Sequence, residues 1–190
     1  MLSELKPAIL ITVIFTIITG LIYPFAITGL SQVLFPHQAK GSLITANGKV
    51  IGSSLIGQNF SKPEYFHPRP SAAGDKGYDG MASGGTNLSP TNPALQKKLT
   101  DSADAFRKEN PSFSGAIPAD AITTSASGLD PHISPDTALA QVDRVAKARN
   151  LPVEQVRSLV QSHIEGRQLG FLGEPRVNVL LLNLALDNAK

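Results

Sequence analysis

Pro7-Ala8-Ile9-Leu10-Ile11-Thr12-Val13-Ile14-Phe15-Thr16-Ile17-Ile18-Thr19-Gly20-Leu21-Ile22-Tyr23-Pro24-Phe25-Ala26-Ile27-Thr28-Gly29-Leu30-Ser31-Gln32-Val33-Leu34 decides the architecture of this chain. No Lys, Arg, Asp or Glu occurs between Lys6 and Lys40. As a helix the stretch would be about 42 Å long, enough for a hydrocarbon core of ~30 Å and the headgroup zones on either side. A secretory signal has an apolar core of only about 7 to 15 residues followed by a small-x-small cleavage site. The run here is far longer, and Phe35-Pro36-His37-Gln38-Ala39 is a poor cleavage site. The segment therefore reads as an uncleaved transmembrane anchor, 7–34, behind a short tail, 1–6.

Within that helix Thr12, Thr16 and Gly20 recur every four residues, and Pro24 continues the row. Small side chains on one face let a neighbouring helix approach closely, and threonine hydroxyls can bond across the contact. Pro24 removes a backbone hydrogen bond and predicts a kink. Lysines flank both ends of the span, so charge hardly sets its orientation. A very short tail before an uncleaved span commonly acts as a signal anchor, so residues 35–190 are expected outside the cytoplasm.

Residues 35–190 have the length of one soluble domain with its own core. The whole chain carries 17 basic and 15 acidic residues, a balance that speaks against nucleic-acid binding. With no cysteine, disulfide scaffolds and thiolate metal sites are excluded. Asn47-Gly48 between Leu43-Ile44-Thr45-Ala46 and Lys49-Val50-Ile51 predicts a β-hairpin, with Gly52 and Gly57 marking a bulge or strand end. From Ser61 to Pro93, 14 of 33 residues are Gly, Pro or Ser. Phe60, Tyr65, Phe66 and Tyr78 make this an ordered loop rather than a linker, with Arg69 a natural ordering residue through its several donors.

Helices are expected after Asn92-Pro93, with Leu95, Leu99, Ala103 and Phe106 inward, and after Ser134-Pro135, with Leu139, Val142 and Val145 inward as far as Asn150. Ile117 to Thr124 reads as extended. A third helix should run from Pro152 to near Gly166, burying Val153, Val156, Leu159, Val160 and Ile164. A last one should carry Val177, Leu180, Leu181 and Leu184 inward. The expected class is α+β: one N-terminal transmembrane helix, then a single soluble domain with a β-hairpin, a long ordered loop and several helices.

Catalytic patterns are missing: there is no G-x-S-x-G, H-E-x-x-H or P-loop, and His37, His67, His132 and His163 lack ligand spacing. No catalytic residue and no metal site is expected. The two helices joined by Asn150-Leu151-Pro152 have helix-turn-helix spacing, which a membrane-anchored DNA-binding regulator would use. Arg157 and His163 are too few basic groups for it, and a plain helical hairpin fits better. Ser83-Gly84-Gly85 could present backbone amides to a phosphate.

Taken in order, Thr19-Gly20-Leu21-Ile22-Tyr23-Pro24, Gly41-Ser42-Leu43-Ile44, Tyr65-Phe66-His67-Pro68-Arg69-Pro70-Ser71, Ser83-Gly84-Gly85-Thr86-Asn87-Leu88, Ser125 to Pro135, Gln141-Val142-Asp143-Arg144-Val145-Ala146 and Gly173-Glu174-Pro175-Arg176-Val177-Asn178-Val179 resemble the C subunit of the Kdp-type potassium-transporting ATPase, over essentially the whole chain. The resemblance implies a single-span accessory subunit in a bacterial inner or plasma membrane. Its partners would be a channel-like potassium-translocating subunit, a P-type ATPase subunit and a small single-span subunit. The chain lacks the D-K-T-G-T phosphorylation motif and is not expected to hydrolyse ATP itself. The resemblance further implies a catalytic chaperone that raises the ATP affinity of the pump subunit. No cofactor would be tightly bound; ATP would be met in a transient ternary complex, with Ser83, Gly84 and Gly85 as a signature-like loop and Gln141 as nucleobase contact. An external domain would instead cap the mouth of the potassium pathway without touching nucleotide.

Overall fold

The computed structural model describes residues 2–46 and 48–189, and they form two compact units that divide between Ser53 and Ser54. The first unit is dominated by the apolar run. Helix α1 (Leu2–Ile17) passes into a π-helical turn (Ile18–Ile22) and then α2 (Tyr23–Leu34), so that a continuous helix of 32 residues, Ser3–Leu34, is long and apolar enough to cross a membrane. None of its most apolar window is buried, as expected of a surface that lipid or another protein covers. The irregularity expected at Pro24 lies just ahead of it. Proline cannot donate an amide hydrogen bond, and the preceding turn widens to i→i+5 spacing, with the Tyr23 amide donating to the carbonyl of Ile18.

Thr12, Thr16 and Thr19 each donate their hydroxyl to the carbonyl four residues back, at 2.8, 2.8 and 2.6 Å. Their donors are thus satisfied inside the helix, and their lone pairs remain for a neighbour. A Cβ placed on Gly20 would meet nothing within 4 Å.

After the short α3 (Pro36–Ala39), β1 (Leu43–Ala46) and β2 (Lys49–Ser53) pair antiparallel as the expected hairpin. Gly48 supplies the positive φ of the turn, +73°; its partner Asn47 lies outside the described residues. Ile44 faces Gly52 and Thr45 faces Val50, so the register shifts by one residue at Ile51, next to Gly52, the glycine expected to mark a bulge or strand end.

The second unit is built around one apolar core. Phe66, Ile133, Val142, Val145, Val156, Val160, Val177, Val179, Leu182 and Leu186 are all buried there. Helix α4 (Pro93–Glu109) starts as its sequence dictates: the Asn92 side chain caps the amide of Ala94 at 2.9 Å, and Phe106 turns inward. The segment expected to be extended contains a helical turn, α5 (Ala119–Ile122). Its Asp120 accepts from the Ser134 amide and hydroxyl and from the Thr137 hydroxyl, at 2.6 to 2.8 Å, so a tertiary capping role overrides the local β preference.

Two strand residues, β3 (His132–Ile133), precede α6 (Pro135–Ala140) and α7 (Val142–Arg149), which replace the one helix expected there; the break falls at Gln141. Asn150 closes α7 in the left-handed conformation, φ +55°. Helix α8 (Val153–Ser162) buries Val156 and Val160, but Val153 at its first turn is exposed, and Ile164 belongs to a strand, β4 (Ile164–Glu165). Strand β5 (Arg176–Asn178) takes Val177 out of the last helix, α9 (Val179–Asn188). The buried face of α9 is Val179, Leu182, Asn183 and Leu186 together with Leu180, whereas Leu181 points outward. A helical phase that starts from Val177 misplaces this face, because Val177 is a strand residue whose side chain obeys a different period. β5 lies between β3 and β4, antiparallel to both.

Candidate functional site

The loop from Ser61 to Asn92 has no strand or helix of its own, so its backbone polar groups must find partners elsewhere. Side chains supply them. Arg144 of α7 donates Nη1 to the carbonyls of Pro63 (2.6 Å) and Tyr65 (2.9 Å). Arg149, a turn further along, donates Nε to the carbonyl of Glu64 at 2.7 Å and stacks over the Tyr65 ring at 4.9 Å. The Asn183 carboxamide brackets Phe66, accepting from its amide at 2.8 Å and donating to its carbonyl at 3.0 Å. Gln141 does the same for His67, at 2.8 and 3.1 Å. Five consecutive carbonyls, Pro63 to His67, are thus held by side chains of α7, α9 and the α6–α7 junction.

Beyond His67 the loop is tied to a second segment, Thr123–Asp130. Arg69 donates to Asp130 Oδ2 at 3.0 Å and, more weakly, to the carbonyls of Thr123 and Thr124 at 3.4 Å. Tyr78 donates its hydroxyl to the Arg69 carbonyl at 2.5 Å, and Ser71 donates to the Gly128 carbonyl at 2.6 Å. Gly128 is required here: its φ is +66°, and a Cβ would come within 2.7 Å of the Ala73 amide nitrogen. Arg69, Ser71 and Tyr78 thus make the hydrogen bonds that join the loop to this segment, beside Gly128.

Burial sets the electrostatics. It pushes the Tyr78 phenol far above its ordinary range, with Asp130 adding to the effect, so the hydroxyl stays a donor. Burial also lowers Arg144, which the Glu109 carboxylate opposes. A hydrogen bond from His67 holds Glu109 below the usual carboxylate range against partial burial. Burial raises Asp130, but hydrogen bonds from His132 and the nearby Arg69 outweigh it, and the net shift is downward.

Gln141 and Arg69 line the same cleft, about 300 Å³, with His67, Ser71, Lys76, Tyr78 and Glu109. Gln141 is buried to 2% exposure, and its amide is fully engaged: Oε1 accepts from His67 and from Arg144 Nη2 at 2.6 Å, and Nε2 donates to the carbonyls of His67 and Thr137. Ser83, Gly84 and Gly85 do not line that cleft. They lie against Ser125–Gly128, where the Ser83 hydroxyl and the Gly84 amide both donate to the Ser127 carbonyl, at 3.0 and 2.9 Å. Thr12, Thr16, Gly20 and Pro24 belong to the other unit. The helical hairpin α7–α8 packs into the core, and Arg157 on it pairs with Glu154 at 3.6 Å. Among the described residues no group of three or more His, Cys, Asp or Glu could hold a metal. Sequence reasoning misses Asn183, Arg144 and Arg149. The available signal is an amide at position 183 inside the otherwise apolar run Val179–Leu186.

A family model for the K+-transporting ATPase c chain, KdpC, matches residues 5–188. The potassium-transporting ATPase KdpC subunit of Bradyrhizobium diazoefficiens is 56% identical over 200 residues, covering 100% of this chain and 98% of that protein. The subunit of the same description from Geobacter sulfurreducens is 56% identical over 187 residues, covering 98% of both, and that from Myxococcus xanthus is 54% identical over 188 residues, covering 98% of this chain and 89% of its own.

Proposed function

The chain belongs to the KdpC family of potassium-transporting ATPase c chains, and from that premise we propose that it is a non-hydrolytic accessory subunit whose second unit caps the outer mouth of the potassium pathway without contacting nucleotide. In this reading the helix Ser3–Leu34 crosses a bacterial plasma membrane beside the spans of a channel-like subunit, a P-type ATPase subunit and a small single-span subunit. The absence of the D-K-T-G-T motif in the sequence supports assigning hydrolysis to a partner.

The observation that carries the reading is the state of Gln141. A nucleobase contact needs an amide whose donor and acceptor face a ligand, whereas both ends of this one are occupied by the protein's own groups in a buried position. The Gly84 amide is likewise occupied by Ser127. A chaperone role through direct ATP contact at this amide would require Gln141 to release His67. A rigid, internally satisfied domain suits a cap that acts by shape and position.

The test is sidedness. Met81 is 98% exposed, so M81C expressed in intact cells should react with a membrane-impermeant maleimide added outside. Labelling only after the cells are opened would place the domain with cytoplasmic ATP and overturn the cap.

A further inference from the structure

The connection between β4 and β5 is narrow and apolar at its tip. Gln168 and Leu172 exchange both backbone hydrogen bonds at 2.9 Å, which closes a tight turn over Leu169, Gly170 and Phe171. Gly170 and Gly173 have φ of +82° and +77°, and Leu169 itself sits at +53°, a left-handed conformation that a non-glycine residue rarely adopts. The turn so held directs its apolar side chains into solvent. Leu169 is 83% exposed, Phe171 69% and Leu172 48%.

We propose that this tip, Leu169 to Leu172, is a docking knob that seats in an uncharged apolar pocket on a companion subunit of the transporter. The proposal rests on the reading of the chain as one subunit of a multi-subunit complex. Three observations choose the occupant. First, the charges on the arms of the turn are paired with one another: Arg167 meets Glu174 at 2.7 Å, and Arg176 meets Glu165 at 3.0 Å. The knob therefore carries no excess of cations for an anionic lipid surface, and it suits a neutral pocket.

Second, three such side chains offer roughly 400 Å² at most, about half of the ~800 Å² that each side of a stable interface buries. A second copy of this chain could not be held through the tip alone. The knob suits a partner that another contact already holds, and in the proposed reading the long apolar helix of the first unit would supply that contact. Third, the foot of the turn is continuous with the clamped loop: Glu174, Pro175 and Arg176 line a cleft of about 550 Å³ together with Arg69, Asp130 and His132. A partner on the knob would abut the segment that Arg69 orders.

The chain has no native cysteine, which allows a direct test with F171C in the complete complex. Recovery of the companion subunits with the tagged chain checks complex membership separately from the knob. The maleimide reaction rate of F171C is then compared between the assembled complex and the same chain alone in detergent, with K98C on the exposed face of α4 as reference. The expected result is a slowing of tenfold or more in the complex for F171C and none for K98C. Equal rates for F171C in complex and isolated chain would overturn the proposal. So would the same slowing for the isolated chain in phosphatidylethanolamine–phosphatidylglycerol vesicles, which would make lipid the occupant, or in concentrated isolated chain, which would make it a second copy.

Discussion

Gln141 and His67 pair as two residues on neighbouring strands do, with the carboxamide standing in for a peptide group: the His67 amide donates to Oε1 at 2.8 Å and Nε2 donates to the His67 carbonyl at 3.1 Å. A side chain can impose strand-like pairing where no strand exists. The long loop is held by such pairing, and the behaviour of substituted proteins should show it.

Q141L removes the amide while nearly keeping its volume. The His67 amide and carbonyl and one donor of Arg144 then lose their partner, and each such loss costs about 1 to 3 kcal/mol when the group is shielded from water. The urea midpoint of the purified protein should fall by an amount corresponding to ~3 kcal/mol or more. A nucleotide role would show in addition, as a raised KM for ATP in the assembled pump.

Arg69 is partly exposed, and it holds Asp130 at 3.0 Å as well as the carbonyls of Thr123 and Thr124. R69K keeps the charge but cannot reach three acceptors from one planar group. Limited proteolysis within residues 70–85 should accelerate in R69K and more so in R69A, with a stability loss of about 2 kcal/mol for the latter. Unchanged cleavage would mean that Ser71 and Tyr78 suffice.

Two glycines separate space from conformation. A Cβ on Gly84 meets nothing within 4 Å, whereas one on Gly128 would lie 2.8 Å from the Gly84 carbonyl oxygen on a backbone with φ of +66°. G84A should stay within about 0.5 kcal/mol of the parent protein, and G128A should lose more than ~2 kcal/mol as the two segments are forced apart. Thermal melts of the two variants check this directly.

Acid should loosen the loop. Glu109 and Asp130 both have folded pKa values below the ordinary carboxylate range, so the folded state binds fewer protons at these groups than the unfolded state. Their contribution is complete above about pH 5 and is lost as pH falls through the folded values. The urea midpoint should therefore decline below pH 5, and D130N should flatten that decline while lowering the neutral-pH plateau.

Gly20 tests the membrane helix. The chain itself leaves the space beside Gly20 empty, so G20L should not disturb the helix, whose circular dichroism should stay the same. Reduced recovery of companion subunits with G20L would report close approach of another span, and undiminished recovery would remove this face from the contact.

Local signals are legible in the sequence where short-range chemistry decides. Asn92-Pro93 and Ser134-Pro135 mark helix starts because capping needs only neighbouring residues, and Gly48 marks a turn because φ is a local property. The split of one expected helix at Gln141 is not legible, nor is the helical turn at Asp120, since each serves a partner far along the chain: Gln141 reaches back to His67, and Asp120 forward to Ser134 and Thr137. Apolar periodicity places the core residues of α8 but shifts the face of α9, because one apolar residue of the preceding strand continues the pattern. Arg69 can be singled out by its chemistry. The amide pair Gln141 and Asn183 cannot be recognised as loop clamps without the fold.

The clamp on Phe66 joins positions 117 residues apart. At about 5 to 20 residues per second of synthesis, Asn183 is added on the order of ten seconds after Phe66. Throughout that interval the nascent loop lacks one of its fasteners, the Asn183 clamp on Phe66. Pairing of the Phe66 backbone with Asn183 is thus possible only once α9 has been made.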